Sequence, residues 1–376
     1  MLHLITTNQG NLPLYMQAAD GNTSDQGAFP KIIEQHIESF KQAVDNKYLV
    51  ADSALYTPKA FEALDKSKTL FVTRVPTKLL QAKELIAQTD QDTLSQIAEG
   101  YFAKEHLTEY GGIKQRWILI YSQQSCDREK KTLKKQILKG SEEESKKLKH
   151  LQNQEFSCQK DAEKSLKQLI SKLKYTKVID YQITKNNAYQ APGRPKKNQL
   201  PHTVIFKVKP VCAICLLQVQ ERERAKGYFI LATNDLGQEE FPPSDVLKTY
   251  KAQQSVERGF RFLKSPDFFF SSFYVKKPER IEALLMVMTL CLLVYAAIEH
   301  KTRCQLKVLD LYFLDQKKRP YQNPTTRWIF FCFLGLHLIS LRGKKQQVMG
   351  LKERNRIILR CLGPPYEALY YAEKWK

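Results

Sequence analysis

The strongest constraint on the fold lies in the first 75 residues, where short apolar segments alternate with helical patterns. "LHLITTN" and "LPLYMQAA" flank the turn "NQGN" and read as a β-hairpin. In "SDQGAFPKIIEQHIESFKQAV", Ser24 and Asp25 suit a helix start, and Ile32, Ile33, His36, Ile37 and Phe40 recur at helical spacing. "KYLVADSALY" is a short apolar strand that ends at Asp52. "TPKAFEALDKS" is a short helix with Pro58 in its first turn, and "TLFVTRV" is another strand. The order β-β-α-β-α-β predicts a layered α/β core.

From about Pro76 to Phe241 the character is mixed. Asp127–Lys174 carries 14 basic and 8 acidic residues and a leucine/isoleucine stripe. It predicts two long amphipathic helices with a break at "KGSEEES", a solvated hairpin able to touch DNA. "APGRPKKNQLP" is a basic loop in which Arg194, Lys196 and Lys197 suit phosphate contact. "TVIFKVKPVCAICLLQV" and "GYFILATND" read as strands of a mixed sheet. Beyond Pro243, helices are expected over Ser244–Leu263, Pro278–His300 and Thr325–Leu341, followed by a basic tail. The domain reading is a first core segment (1–75), an insertion with its charged hairpin (76–243), helices that complete the core (244–342), and the tail (343–376).

Sixty Lys and Arg against 39 Asp and Glu give a formal charge of +21. A balance this basic points to a polyanionic partner, nucleic acid first and anionic membrane second. The eight cysteines are scattered, several in apolar runs, which fits reduced thiols and a cytoplasmic location. "VCAIC" has no second pair or nearby histidine to complete a zinc site. No secretory signal is visible at the start. "ALLMVMTLCLLVYAAI" has 16 residues and close flanking charges, so it reads as a buried core helix rather than a membrane span.

The chemistry centres on "YKAQQSVERGFRFLK", Tyr250 to Lys264. On a continuous helix, Gln253, Glu257, Arg261 and Lys264 share an arc of about 80°, separate from an apolar stripe of Ala252, Val256 and Leu263 with Phe260 beside them. Arg258 adds another cation beside the single acid. By spacing alone, Glu257 could be a solvated acid paired with Arg261 at i,i+4.

Tyr250, Gln253, Glu257 and Lys264 resemble the Y-x2-R-x3-E-x6-K signature of DDE transposases from bacterial insertion sequences. "ADSALY" resembles the strand-ending second acid of that family. "LPLYMQAADGNTSDQGAFPKII", "GRPKK", "GYFILATND" and "RFLKSPDFFFSSFYVKKPERIEALLMVMTLCLLVYAAIE" are similar to further segments of its insertion-sequence-four superfamily. The resemblance spans about Leu2 to Leu341. It implies an RNase H-like core with a largely β insertion before the helix bearing the final Glu. It also implies DNA strand cleavage and transfer with Mg²⁺ or Mn²⁺ held by Asp52 and Glu257. Tyr250, Gln253, Arg258, Arg261 and Lys264 would then contact transposon ends and target, within a homodimer at synapsis, with no role for a membrane. Gln253 stands where the signature has arginine, so it donates hydrogen bonds without charge.

The family's first acid sits on a strand upstream of the hairpin that here begins at Leu2. The expectation is therefore a truncated copy that lacks the first core strand and is impaired in catalysis. Asp20 and Asp25 are the nearby carboxylates, read as turn and helix-start residues. Two other readings stay open: a non-catalytic DNA-binding remnant that inhibits an intact transposase, and an unrelated metal-dependent nuclease.

Overall fold

The structure is a computed structural model that describes residues 2–44, 47–188, 203–263, 277–341 and 345–371. Arg194, Lys196, Lys197 and Lys264 lie outside the described residues.

Strands β1 (Leu2–Thr6) and β2 (Pro13–Ala18) form the expected antiparallel hairpin. Gly10 takes a positive φ in its turn. Helix α1 (Asp25–Ala43) starts behind Ser24. Strand β3 (Tyr48–Ala51) runs into a short 3₁₀ turn, Ser53–Leu55. Helix α2 (Pro58–Lys66) has Pro58 at its first position, and the Thr57 side chain accepts the Ala60 N–H. Strand β4 (Leu70–Arg74) pairs in parallel with β3, placing Ala51 opposite Thr73. Thus β-β-α-β-α-β is observed, in a mixed α/β fold. Phe61 and Phe71 are fully buried and stack at 4.9 Å, and burying such rings contributes about 1.5–3 kcal/mol each.

The middle of the chain holds α3 (Leu80–Gln88), β5 (Ser95–Ala98), β6 (Tyr101–Tyr110) and β7 (Ile113–Ser122). Then come α4 (Gln123–Asn153), α5 (Gln159–Ile170), β8 (Thr176–Ala188), β9 (Thr203–Ile214), α6 (Leu216–Arg224) and β10 (Tyr228–Thr233). Residues Trp117–Ile120 of β7 are all buried, as a strand covered on both faces requires.

Two expectations are corrected here. The charged helix does not break at "KGSEEES": α4 runs through it, and the break falls at 154–158. Tertiary contacts hold the run helical. Gly140 lies against the Tyr175 ring, and buried Glu144 accepts the backbone N–H groups of Lys174, Tyr175 and Thr176 at 2.7, 3.2 and 2.8 Å. Likewise "TVIFKVKPVCAICLLQV" is not one strand. It ends at Ile214, pairs with β8 as a separate two-stranded ribbon, and its last residues begin α6. All eight cysteines are free thiols.

The C-terminal part holds α7 (Pro243–Ala252), α8 (Gln254–Leu263), α9 (Pro278–Val308), the short strands β11 (Phe313–Leu314) and β12 (Pro320–Tyr321), and α10 (Thr326–Cys332). It ends with the hairpin β13 (His337–Leu341) and β14 (Lys345–Met349), then α11 (Glu353–Leu362) and α12 (Pro364–Tyr371). The expected helix Thr325–Leu341 is instead α10 followed by β13. Gly335 has φ +82° between them, and "HLISL" pairs with residues 345–349. The single helix expected over Ser244–Leu263 is two, divided at Gln253.

The apolar run within α9 is less covered than a core helix. Leu285, Met288 and Leu292 are buried, whereas Met286, Val287, Leu290 and Val294 are 50–57% exposed among the described residues. The run is apolar around its whole circumference, and the described neighbours cover one stripe of it. By length and composition α9 is long and apolar enough to cross a membrane.

The chain divides into two compact units. The first comprises residues 1–73, 109–115 and 233–376, and the second residues 74–108 and 116–232. In the first unit β3 pairs with β4; strands β10, β7, β6 and β5, hydrogen-bonded in that order, lie mainly in the second. In the first unit α9 packs on β2, α8, α10 and α11. In the second, Leu151, Phe156, Ala162, Leu166 and Val208 join α4 and α5 to the β8–β9 ribbon.

Candidate functional site

Asp52 follows the last residue of β3 and caps the 3₁₀ turn, its Oδ1 accepting the Ala54 N–H at 2.9 Å. Its backbone carbonyl accepts the Thr73 hydroxyl of β4 at 2.7 Å. Leu55 and Tyr56, just beyond, are buried, and Tyr56 donates to Gln115 Oε1 at 2.9 Å. An exposed carboxylate is thus mounted on a strand end tied to β4 and held by its own turn.

Glu257 is exposed on α8. The preceding helix α7 buries Val246 and Leu247 and packs on β3, the strand that leads to Asp52. The junction at Gln253 is a tight 3₁₀-type turn: its N–H donates to the Tyr250 carbonyl, and the Val256 N–H donates to the Gln253 carbonyl. Gln253 itself keeps helical dihedrals. On α8, buried Gly259 lies against β1 and α9, where an added Cβ would stand 3.3 Å from Leu292 Cδ2 and 3.4 Å from Leu4 Cδ2. Residues two apart on a helix point about 200° apart, so this seat turns Glu257 outward. Tyr250 and Gln253 are half-buried at the end of α7. Arg258 and Arg261 lie on α8 with Glu257.

The other acids are held differently. Asp25 opens α1 and lies 3.9 Å from His3 Nδ1. Asp235, which sequence reasoning passed over, accepts the Tyr48 hydroxyl at 2.6 Å and the Gly237 N–H at 3.1 Å, and pairs with Lys47 at 3.2 Å. Burial works to raise its pKa, but the bonds from Tyr48, Gly237 and Lys47 prevail and hold the carboxyl below its ordinary range. Tyr48 begins β3, roughly 13 Å of strand before Asp52, so Asp235 anchors the opposite end of that strand. Gly259 and Thr73 also escaped the sequence reading. A glycine inside a helical pattern is a signal of close packing that could have flagged the first.

Both carboxylates sit on the first unit and offer the hard oxygen donors that Mg²⁺ or Mn²⁺ takes. No group of three or more His, Cys, Asp or Glu suited to hold a metal is found among the described residues. Carboxylate oxygens are donors of the kind that a hard divalent cation completes with water and substrate phosphate.

A family model described as "Transposase DDE domain" matches residues 1–294, more than three quarters of the chain. No curated protein and no solved structure matches it.

Proposed function

The chain belongs to the transposase DDE domain family, and on that premise we propose that it acts on DNA as a cut-and-paste transposase of the insertion-sequence-four type. The core would be RNase H-like, with residues between β4 and α7 as its insertion. The reaction class is in-line displacement at phosphorus. Water attacks a backbone phosphodiester and the 3′-oxygen departs as a hydroxyl; that 3′-hydroxyl then loses its proton and attacks a target phosphodiester, and the target's own 3′-oxygen departs. Asp52 and Glu257 are the residues that would hold Mg²⁺ or Mn²⁺, which when bound supplies Lewis-acid activation of the attacking and leaving oxygens. Tyr250, Arg258, Arg261 and Lys264 would orient the DNA backbone. Gln253 does so by hydrogen bonding without charge. Arg194, Lys196 and Lys197 offer a separate phosphate contact.

The observation that carries this reading is the exposed carboxylate of Asp52, fixed at the end of β3 by its bonds with Ala54 and Thr73. The test is Mg²⁺-dependent cleavage and joining of duplexes bearing the element's terminal repeats. Asp52→Asn and Glu257→Gln should each abolish both reactions and leave DNA binding in EDTA intact. Cleavage that survives both substitutions rejects the assignment.

A second reading rests on charge. The formal charge of +21 equally suits a DNA-binding protein that occupies transposon ends without cutting them. Salt-sensitive binding with no cleavage in either Mg²⁺ or Mn²⁺ selects it.

A further inference from the structure

We infer that the outward face of α4 is a docking surface for the sugar-phosphate backbone of duplex DNA. The inference rests on the DNA-acting reading above but uses none of its carboxylates.

Helix α4 is 31 residues long, about 46 Å. Its inner face buries Cys126, Leu133, Ile137, Glu144, Leu148 and Leu151. At about 100° per residue, Arg128, Lys131, Lys135, Lys139, Lys146 and Lys149 fall within roughly 80° of one another on the opposite side. All six are exposed. They run along about 32 Å of helix, beside which a duplex carries roughly 19 phosphate charges.

The stripe is costly for an isolated helix. Lys131, Lys135 and Lys139 form consecutive i,i+4 like-charge pairs, each destabilising by a few tenths of a kcal/mol. Glu142 is the one acid in that arc, and it sits at i,i+4 to Lys146. A polyanion laid along the face offsets the repulsion from Arg128 to Lys139.

The rod is also preorganised. Tyr175 against Gly140 and the three N–H groups on Glu144 keep it continuous at its midpoint. These contacts favour DNA over a lipid surface. A basic amphipathic helix binds a membrane by inserting its apolar face, and here that face is occupied by α5 and the β8–β9 ribbon.

The experiment measures binding of the full chain to a 30-bp duplex by fluorescence anisotropy, in EDTA, at 50–200 mM salt. The variants are the triple substitution Lys131→Gln, Lys135→Gln, Lys139→Gln and the same three positions to Arg. Glutamine and arginine keep helix propensity at exposed sites, so folding is preserved, and circular dichroism checks it. Each lost phosphate contact should lower the slope of log K against log salt by about 0.9, so the triple Gln variant should lose about 2.7 and the Arg variant almost nothing. An unchanged slope in the Gln variant overturns this surface while leaving the family reading in place. A wild-type chain with no affinity for the duplex at 50 mM salt overturns both. Stripe-dependent binding to phosphatidylserine vesicles, without DNA binding, reassigns the face to a membrane and overturns the inference.

Discussion

The Thr73 hydroxyl donates to the backbone carbonyl of Asp52 at 2.7 Å, tying the end of β3 to its parallel neighbour β4. Thr73 is fully buried, so its hydroxyl has few alternative partners. Thr73→Val keeps the shape and removes the bond. It should cost about 1 kcal/mol in urea unfolding. It should also lower metal-dependent cleavage more than DNA binding, because Asp52 loses its positioning and the cationic surfaces do not.

Gly259 separates two effects of similar size. Alanine gains about 1 kcal/mol of helix propensity but meets Leu292 and Leu4 at 3.3 and 3.4 Å, through the far ends of flexible side chains. Gly259→Ala should therefore change stability by less than about 0.5 kcal/mol, the two effects nearly cancelling. Gly259→Leu should destabilise by about 1–3 kcal/mol through overpacking and reduce cleavage, since α8 must shift with Glu257 on it. Thermal melts paired with cleavage rates check both.

Gly140 reverses the usual gain from replacing a helical glycine. A Cβ there would overlap the Tyr175 ring, which also carries Arg222 over its face at 4.8 Å. Gly140→Ala should destabilise by about 1–3 kcal/mol despite its better propensity. In a Tyr175→Ala background the same change should stabilise. A double-mutant cycle by chemical denaturation reads the sign directly.

Glu144 sets a pH dependence. Burial by itself would raise its pKa, but hydrogen bonds from the N–H groups of Lys174, Tyr175 and Thr176 outweigh that and hold the carboxyl below its usual value. A folded pKa below the unfolded one means that the stabilisation is fully present above the unfolded value, 4.5, and is lost as pH falls through the folded one. Glu144→Gln should cost on the order of 2 kcal/mol at pH 7. It should also flatten the decline in stability below about pH 4.5, measured by urea unfolding across pH 3–7.

The sequence was most legible where neighbours in the chain decide the outcome. The β-β-α-β-α-β order, the turn at 8–11, the helix starts at Asp25 and Pro58, and the strand end at Asp52 follow from local dihedral preference and apolar spacing. The site was legible only as two separate carboxylates, Asp52 on a strand end and Glu257 on a polar helix face.

What escaped that reading depends on partners far along the chain. The continuity of α4 rests on residues 174–176 binding Glu144, and the break at Gln253 interrupts a pattern whose periodicity is unbroken. "HLISL" is a strand because residues 345–349 pair with it, and the half-covered face of α9 reflects which neighbours reach it. By itself the sequence determined the α/β class, the basic charge and the candidate acids, because these are properties of composition and of period. Only the tertiary structure decided that Thr73 grips Asp52 and that Gly259 seats the helix of Glu257, because such contacts arise when segments distant in the chain are packed together.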